Sequence, residues 1–247
     1  RVLREDPAQK GLLYAGTENG MYVSYNDGAA WQSFQNNLPL VPITDLAVKD
    51  NALIVAPQGR SLWMIDDLTV LHQLLTAGNS SAKTARLFDP KDAYRTKGRG
   101  GRASLTAGTN LPNGVITHFY LPEGMEQDSV VLNYHNAAGD LLASFSNKAK
   151  ERKDKLTLTA GANSFVWDTR GTGSELLPGM IMWWANLDGP KAVPGAYKVS
   201  MSVGDQTIAT HDFSLMPDPR AEASVADMQA QYDFITAVNT TINDAHN

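Results

Sequence analysis

A chain of 247 residues, 43% hydrophobic and 8% aromatic, can fill two modest cores or one large all-β core. Its formal net charge of −5 argues against general nucleic-acid binding, which favours a basic face. With no cysteine, disulfides, cysteine-ligated zinc and thiol nucleophiles are excluded, and no apolar run is long enough to span a bilayer.

Residues 1–37 read as four short strands. The first, Val2-Leu3-Arg4-Glu5, is closed by the turn dipeptide Asp6-Pro7. Runs at 12–17 and 21–25 follow, parted by Glu18-Asn19-Gly20, whose Asn-Gly pair tolerates positive φ. The fourth run, 31–34, comes after an Asn26-Asp27-Gly28 turn. Beyond the Pro-bracketed connector 38–42, three more strands are expected at 43–48, 52–56 and 61–65, then a short helix over 68–75 opened by Asp66-Asp67. The two sets repeat at about forty residues, a blade-sized period. The second set lacks a fourth strand, as a ring-closing propeller blade does when the other end of the ring supplies it.

Residues 76–114 change character. Gly, Ser, Ala and Thr dominate both ends, seven Lys or Arg stand between Lys83 and Arg102 against two Asp, and Gly98-Arg99-Gly100-Gly101 lies in the middle. This composition predicts a basic inter-domain linker mostly without regular structure, either laid as a solvated tether across an acidic propeller face or contacting an acidic partner or polyanion. Strand signal returns at 115–121, 129–135, 140–146, 155–159, 163–168, 195–203 and 206–215, with a charged loop over 148–155. Seven short strands over about a hundred residues predict an immunoglobulin-like or fibronectin type III-like sandwich across 115–220. The last segment, 221–247, is an expected helix: Ser224-Val225-Ala226-Asp227 is a capping box, and Val225, Met228, Tyr232, Ile235, Val238 and Ile242 recur at helical steps.

The most specific motif is Ser24-Tyr25-Asn26-Asp27-Gly28-Ala29-Ala30-Trp31. An Asx side chain can accept backbone N–H groups just ahead of it, Gly28 permits positive φ, and Trp31 can fold over the turn. None of these roles needs a substrate. The spacing resembles the Asp-box, Ser-x-Asp-x-Gly-x-x-Trp, of sialidase-type and sortilin-type β-propellers. Ser24, Gly28 and Trp31 match; Asn26 stands where Asp is usual, Ala30 where Thr is common, and Asp27 is acidic one place late. Leu13-Tyr14-Ala15-Gly16-Thr17-Glu18-Asn19-Gly20, and the stretch from Gly59-Arg60-Ser61-Leu62-Trp63 to Leu68, resemble the closing blades of large bacterial Asp-box repeat, glycosyl-hydrolase-like proteins. The stretches 160–170, Val193-Pro194-Gly195-Ala196-Tyr197-Lys198-Val199 and Met216-Pro217-Asp218-Pro219-Arg220 resemble the sandwich that follows the propeller there, which is also similar to that of flagellar hook-capping proteins.

The resemblance implies a mainly β fold: the terminal blades of a propeller over 1–75, incomplete alone, then the linker, the sandwich and a C-terminal α-helix. It also implies a secreted or periplasmic bacterial protein of which this chain, starting at Arg1 without an initiator Met, is the C-terminal part. The function so implied is non-catalytic: closing the propeller against upstream blades and presenting the sandwich to a protein or glycan. The alternative is the accessory end of a sialidase-like glycoside hydrolase whose site lies in upstream blades. The Arg-Ile-Pro landmark of sialidases is absent.

No catalytic, cofactor-binding or metal-ligating set is expected in these residues. Asp66 and Asp67 are adjacent, so on a strand they would point to opposite faces rather than pair. The five His, at 72, 118, 135, 211 and 246, show no metal-ligand spacing, and there is no Gly-x-Ser-x-Gly or phosphate loop. The dense apolar run Leu176-Leu177-Pro178-Gly179-Met180-Ile181-Met182-Trp183-Trp184 sits inside an expected loop. Trp183 and Trp184 either stack on a sugar or protein partner there, or the loop packs down on the sandwich or against the propeller.

Overall fold

The computed structural model describes residues 1–76, 83–96, 111–175, 179, 181, 183 and 187–246. The chain is mainly β, with several sheets and a C-terminal helix, and divides into two compact units, Arg1–Ser80 and Ser81–Asn247.

In the first unit, β1 (Val2–Glu5), β2 (Leu13–Thr17), β3 (Gly20–Ser24) and β4 (Gln32–Ser33) form an antiparallel sheet in sequence order. A second sheet holds β5 (Ile43–Lys49), β6 (Ala52–Pro57) and β7 (Trp63–Ile65). Leu12, just before β2, with Tyr14, Met21 and Val23 of one sheet shares a core with Ile43, Leu46, Leu53 and Val55 of the other. Side-chain alternation sets the spacing on β2, β3 and β6, and a register shift after Ile43 resets it on β5. The helix α1 (Thr69–Thr76) adds Leu71 and Leu75 to its edge. Asp67 caps it: Oδ1 accepts the Thr69 N–H at 2.9 Å and an Asn51 Nδ2–H at 2.8 Å.

The second unit contains β8 (Arg86–Leu87), β9 (Ala93–Arg95), β10 (Val115–Leu121), β11 (Val130–Asn136), β12 (Leu141–Ser146), β13 (Gly161–Trp167), β14 (Gly195–Val203), β15 (Gln206–Pro217) and α2 (Val225–His246). The strands make a three-stranded sheet, β13-β10-β8, and a five-stranded sheet, β12-β11-β14-β15-β9. Both sheets line one core, in which Val115, Phe119 and Trp167 meet Leu132, Tyr134, Val199, Met201 and Phe213. Trp167 stacks on Tyr134 with ring centroids 4.5 Å apart, and its Nε1–H donates to the Arg170 carbonyl at 2.8 Å.

Three sequence expectations change. The stretch 76–114, read as mostly without regular structure, carries two short strands among its described residues: β8 pairs with β10, and β9 runs parallel to β15. Both strands are two or three residues long, too short for a period of two to stand out among basic residues, yet Leu87 and Phe88 are buried. The strand expected at 155–159 reduces to a single bridge, Ser146 to Lys155, although Leu156 is buried. On α2 the buried stripe is narrower than the periodicity indicates. Met228 is buried and Tyr232, Ile235 and Ile242 are half-buried, whereas Val225, Val238 and Phe234 are exposed. No described helix is long and apolar enough to cross a membrane.

Candidate functional site

The 24–31 turn joins β3 to β4 and satisfies itself. The buried Ser24 Oγ accepts the Gly28 N–H at 2.9 Å and the Asn26 N–H at 3.4 Å, while its own hydrogen goes to Asn26 Oδ1 at 3.1 Å. Asn26 Oδ1 also accepts the Ala30 N–H at 2.8 Å. Asp27 and Gly28 take φ of 58° and 84°, and the Asp27 N–H reaches back to the Gly11 carbonyl at 2.9 Å. Trp31 lies over the turn: a Cβ on Gly28 would stand 3.8 Å from its Cζ2. All five residues, Ser24, Asn26, Asp27, Gly28 and Trp31, are thus gathered by one backbone reversal. The acceptor at position 26 is a neutral amide oxygen, so the turn adds no ionised carboxylate there.

Trp183 lies in sequence between two segments, 171–175 and 187–190, that are tied to each other as the two limbs of the 171–190 stretch. Arg170 and Lys191 form an antiparallel bridge, the Gly171 N–H donates to the Pro190 carbonyl at 2.9 Å, and the Ser174 N–H to the Leu187 carbonyl at 3.0 Å. The limbs approach so closely that a Cβ on Gly173 would stand 1.8 Å from Leu187 O, and one on Gly189 2.0 Å from Gly171 O. The helix α2 steadies the first limb. Ser174 Oγ donates to the Asn239 carbonyl at 3.2 Å, and the Glu175 N–H donates to Asn243 Oδ1 at 2.9 Å. Ile181 and Trp183 are 79% and 85% exposed. Trp184 and most of the apolar run lie outside the described residues.

A buried polar cluster in the first unit was missed by sequence reasoning. Asp6, read only as part of a turn dipeptide, has a fully buried carboxylate. Its Oδ2 accepts the Tyr14 hydroxyl at 2.9 Å and faces His72 Nε2 at 2.9 Å, and its Oδ1 accepts the Ala8 N–H at 2.9 Å. Burial by itself pushes the Asp6 carboxyl up, but these hydrogen bonds outweigh it and hold the group below its ordinary value. Burial, with the Asp6 carboxylate second, pushes the Tyr14 hydroxyl well above the ordinary phenol range. His72 comes from α1, so the cluster pins that helix to the sheet at β2. No local signal could have found it, because its members lie up to 66 residues apart.

The other histidines are dispersed. His118, His135 and His211 lie in β10, β11 and β15, and His246 ends α2 with Nδ1 2.9 Å from the Glu175 carbonyl. His211 faces acceptors at both ring nitrogens, the Asp89 carboxylate and the Leu87 carbonyl, and so ties β15 to the β8 edge. Among the described residues no group of three or more His, Asp or Glu side chains could hold a metal ion. Asp66 and Asp67 do not form a carboxylate pair, since Asp67 is committed to the α1 cap. No family model matches this chain, and no curated protein or solved structure matches it.

Proposed function

We propose that this chain is a non-catalytic structural and binding section of a secreted or periplasmic Asp-box propeller protein. In this reading the first unit supplies closing blades to the propeller, and the second, an immunoglobulin-like sandwich, offers its 171–190 loop to a protein or glycan. The observation that carries the binding role is Trp183, 85% exposed, between two limbs tied to each other by backbone hydrogen bonds and by glycines in close approach. A large aromatic ring left in water offers an apolar face at low entropic cost, the usual anchor of a recognition surface. The 24–31 turn supports the structural half, since its polar atoms are spent on its own backbone.

The test is a titration of the full chain with neutral and acidic oligosaccharides, followed by tryptophan fluorescence. Saturable quenching that is lost in Trp183→Ala but kept in Trp183→Phe is the expected result for a glycan partner. If no sugar acts, capture of one defined protein from the native extract by the parent chain, and not by Trp183→Ala, keeps the binding role. Equal behaviour of parent and Trp183→Ala in both assays overturns it. Release of fluorophore from a sialoside by this chain alone would show catalysis instead.

A further inference from the structure

At the foot of the 171–190 loop three cationic side chains from separate segments converge. Arg95 ends β9, Arg170 follows β13, and Lys191 is bridged to Arg170. Arg95 and Lys191 are cross-laced: Arg95 Nε–H donates to the Ala192 carbonyl at 3.0 Å, and Lys191 Nζ to the Thr96 carbonyl at 3.0 Å. Arg95 Nη2 also donates to Gln231 Oε1 at 2.9 Å, and Arg170 Nη1 to the Gly189 carbonyl at 2.9 Å.

Every one of these close acceptors is neutral. Neutral acceptors orient a cation without cancelling its charge. Two carboxylates stand near, Asp168 Oδ2 at 3.7 Å and Asp188 Oδ2 at 4.0 Å, both from Arg170 Nε and both on exposed side chains. Among the described residues neither Arg95 nor Lys191 has an ion pair. All three cations are half-buried, so they are drawn partly out of water yet remain reachable. In a chain of net charge −5, such a cluster is a local reversal of sign.

We propose that Arg95, Arg170 and Lys191 form an oxyanion-binding site. The spare N–H groups of two guanidiniums and an ammonium supply the donors that a sulfate, phosphate or carboxylate group takes. The proposal does not depend on the aromatic contact of Trp183. Lys191 already registers the unmet charge: burial first, then Arg170 and Arg95, hold its ammonium below the ordinary lysine range, with Asp168 opposing. A bound oxyanion reverses that balance.

Sulfate is the probe, because it keeps its charge across the lysine titration. The full chain carrying 13C-labelled lysine is titrated with base in sodium sulfate and in sodium chloride of equal ionic strength. The expected result is a Lys191 midpoint raised by about half a pH unit or more in sulfate, other lysines unmoved. Calorimetric titration should show saturable sulfate binding, weakened about fivefold or more by Lys191→Met and by Arg170→Gln and kept by Lys191→Arg. A Lys191 midpoint that is the same in both salts overturns the proposal, as does unchanged affinity in a folded Lys191→Met. Should Lys191→Met fail to fold, the midpoint in the unaltered chain decides.

Discussion

Ser24 holds its turn through one hydroxyl oxygen that takes two backbone N–H groups in a place closed to water. Ser24→Ala leaves both donors short of a partner, so the first unit should lose about 1–3 kcal/mol in urea unfolding. Asn26→Ala frees the exposed Ala30 N–H and takes the acceptor from the Ser24 hydroxyl, and should lose about 1 kcal/mol, while Asn26→Asp keeps the acceptor and should fall between Asn26→Ala and the parent. The Asp6 carboxyl makes a separate prediction. Its folded-state value lies below its unfolded one, so the stability it contributes is full above the unfolded value, about 3.9, and is lost as pH falls through the lower folded value. Unfolding of the first unit followed from pH 5 downward should weaken steeply below about pH 4, and Asp6→Asn should flatten that slope. At this scale the turn was legible, since its side-chain acceptors, Ser24 and Asn26, serve donors within four residues; only the Asp27 N–H reaches farther, to Gly11. The Asp6–Tyr14–His72 cluster was not, because only folding brings α1 to the sheet.

The 171–190 loop shows how an element acquires geometry that its own sequence does not declare. Its composition reads as an odd apolar run; its fixed base comes from Gly173 and Gly189 in contact with the opposite limb, and from α2 beneath. Gly173→Ala would drive a Cβ into the Leu187 carbonyl, so it should lower the stability of the second unit by about 1–3 kcal/mol and weaken whatever Trp183 binds. Thermal unfolding reads the first effect and the fluorescence titration the second. The capping box of α2 was legible residue by residue: the Asp227 carboxylate accepts the Ser224 N–H at 2.9 Å, and Ser224 Oγ accepts the Asp227 N–H at 3.2 Å. The buried face of the helix was not, since periodicity names a stripe and the neighbouring surface decides how much of it is covered.

The two units have separate hydrophobic cores with no residue in common. Residues 81–247 made alone should therefore keep a β-type circular dichroism spectrum and unfold cooperatively. Trp167→Ala, which removes the ring between Tyr134 and Phe213, should destabilise the second unit by about 3–5 kcal/mol and leave a reporter in the first unit unmoved. Unfolding of both units together by that one change would count against their independence.

By itself the amino-acid sequence determined what rests on near neighbours. The short β runs and their turns, the self-satisfied 24–31 reversal, both helices and their caps follow from alternation, positive-φ residues and side-chain acceptors a few positions away. Tertiary structure alone decided that residues 86–87 and 93–95, inside the basic stretch, belong to sheets and that His72 lies on a buried carboxylate. It also decided that Arg95, Arg170 and Lys191 meet at the foot of one loop. The physical reason is the same in each case. A pairing across tens of residues leaves no local period or spacing, and it comes into being only when the sheets close over a shared core.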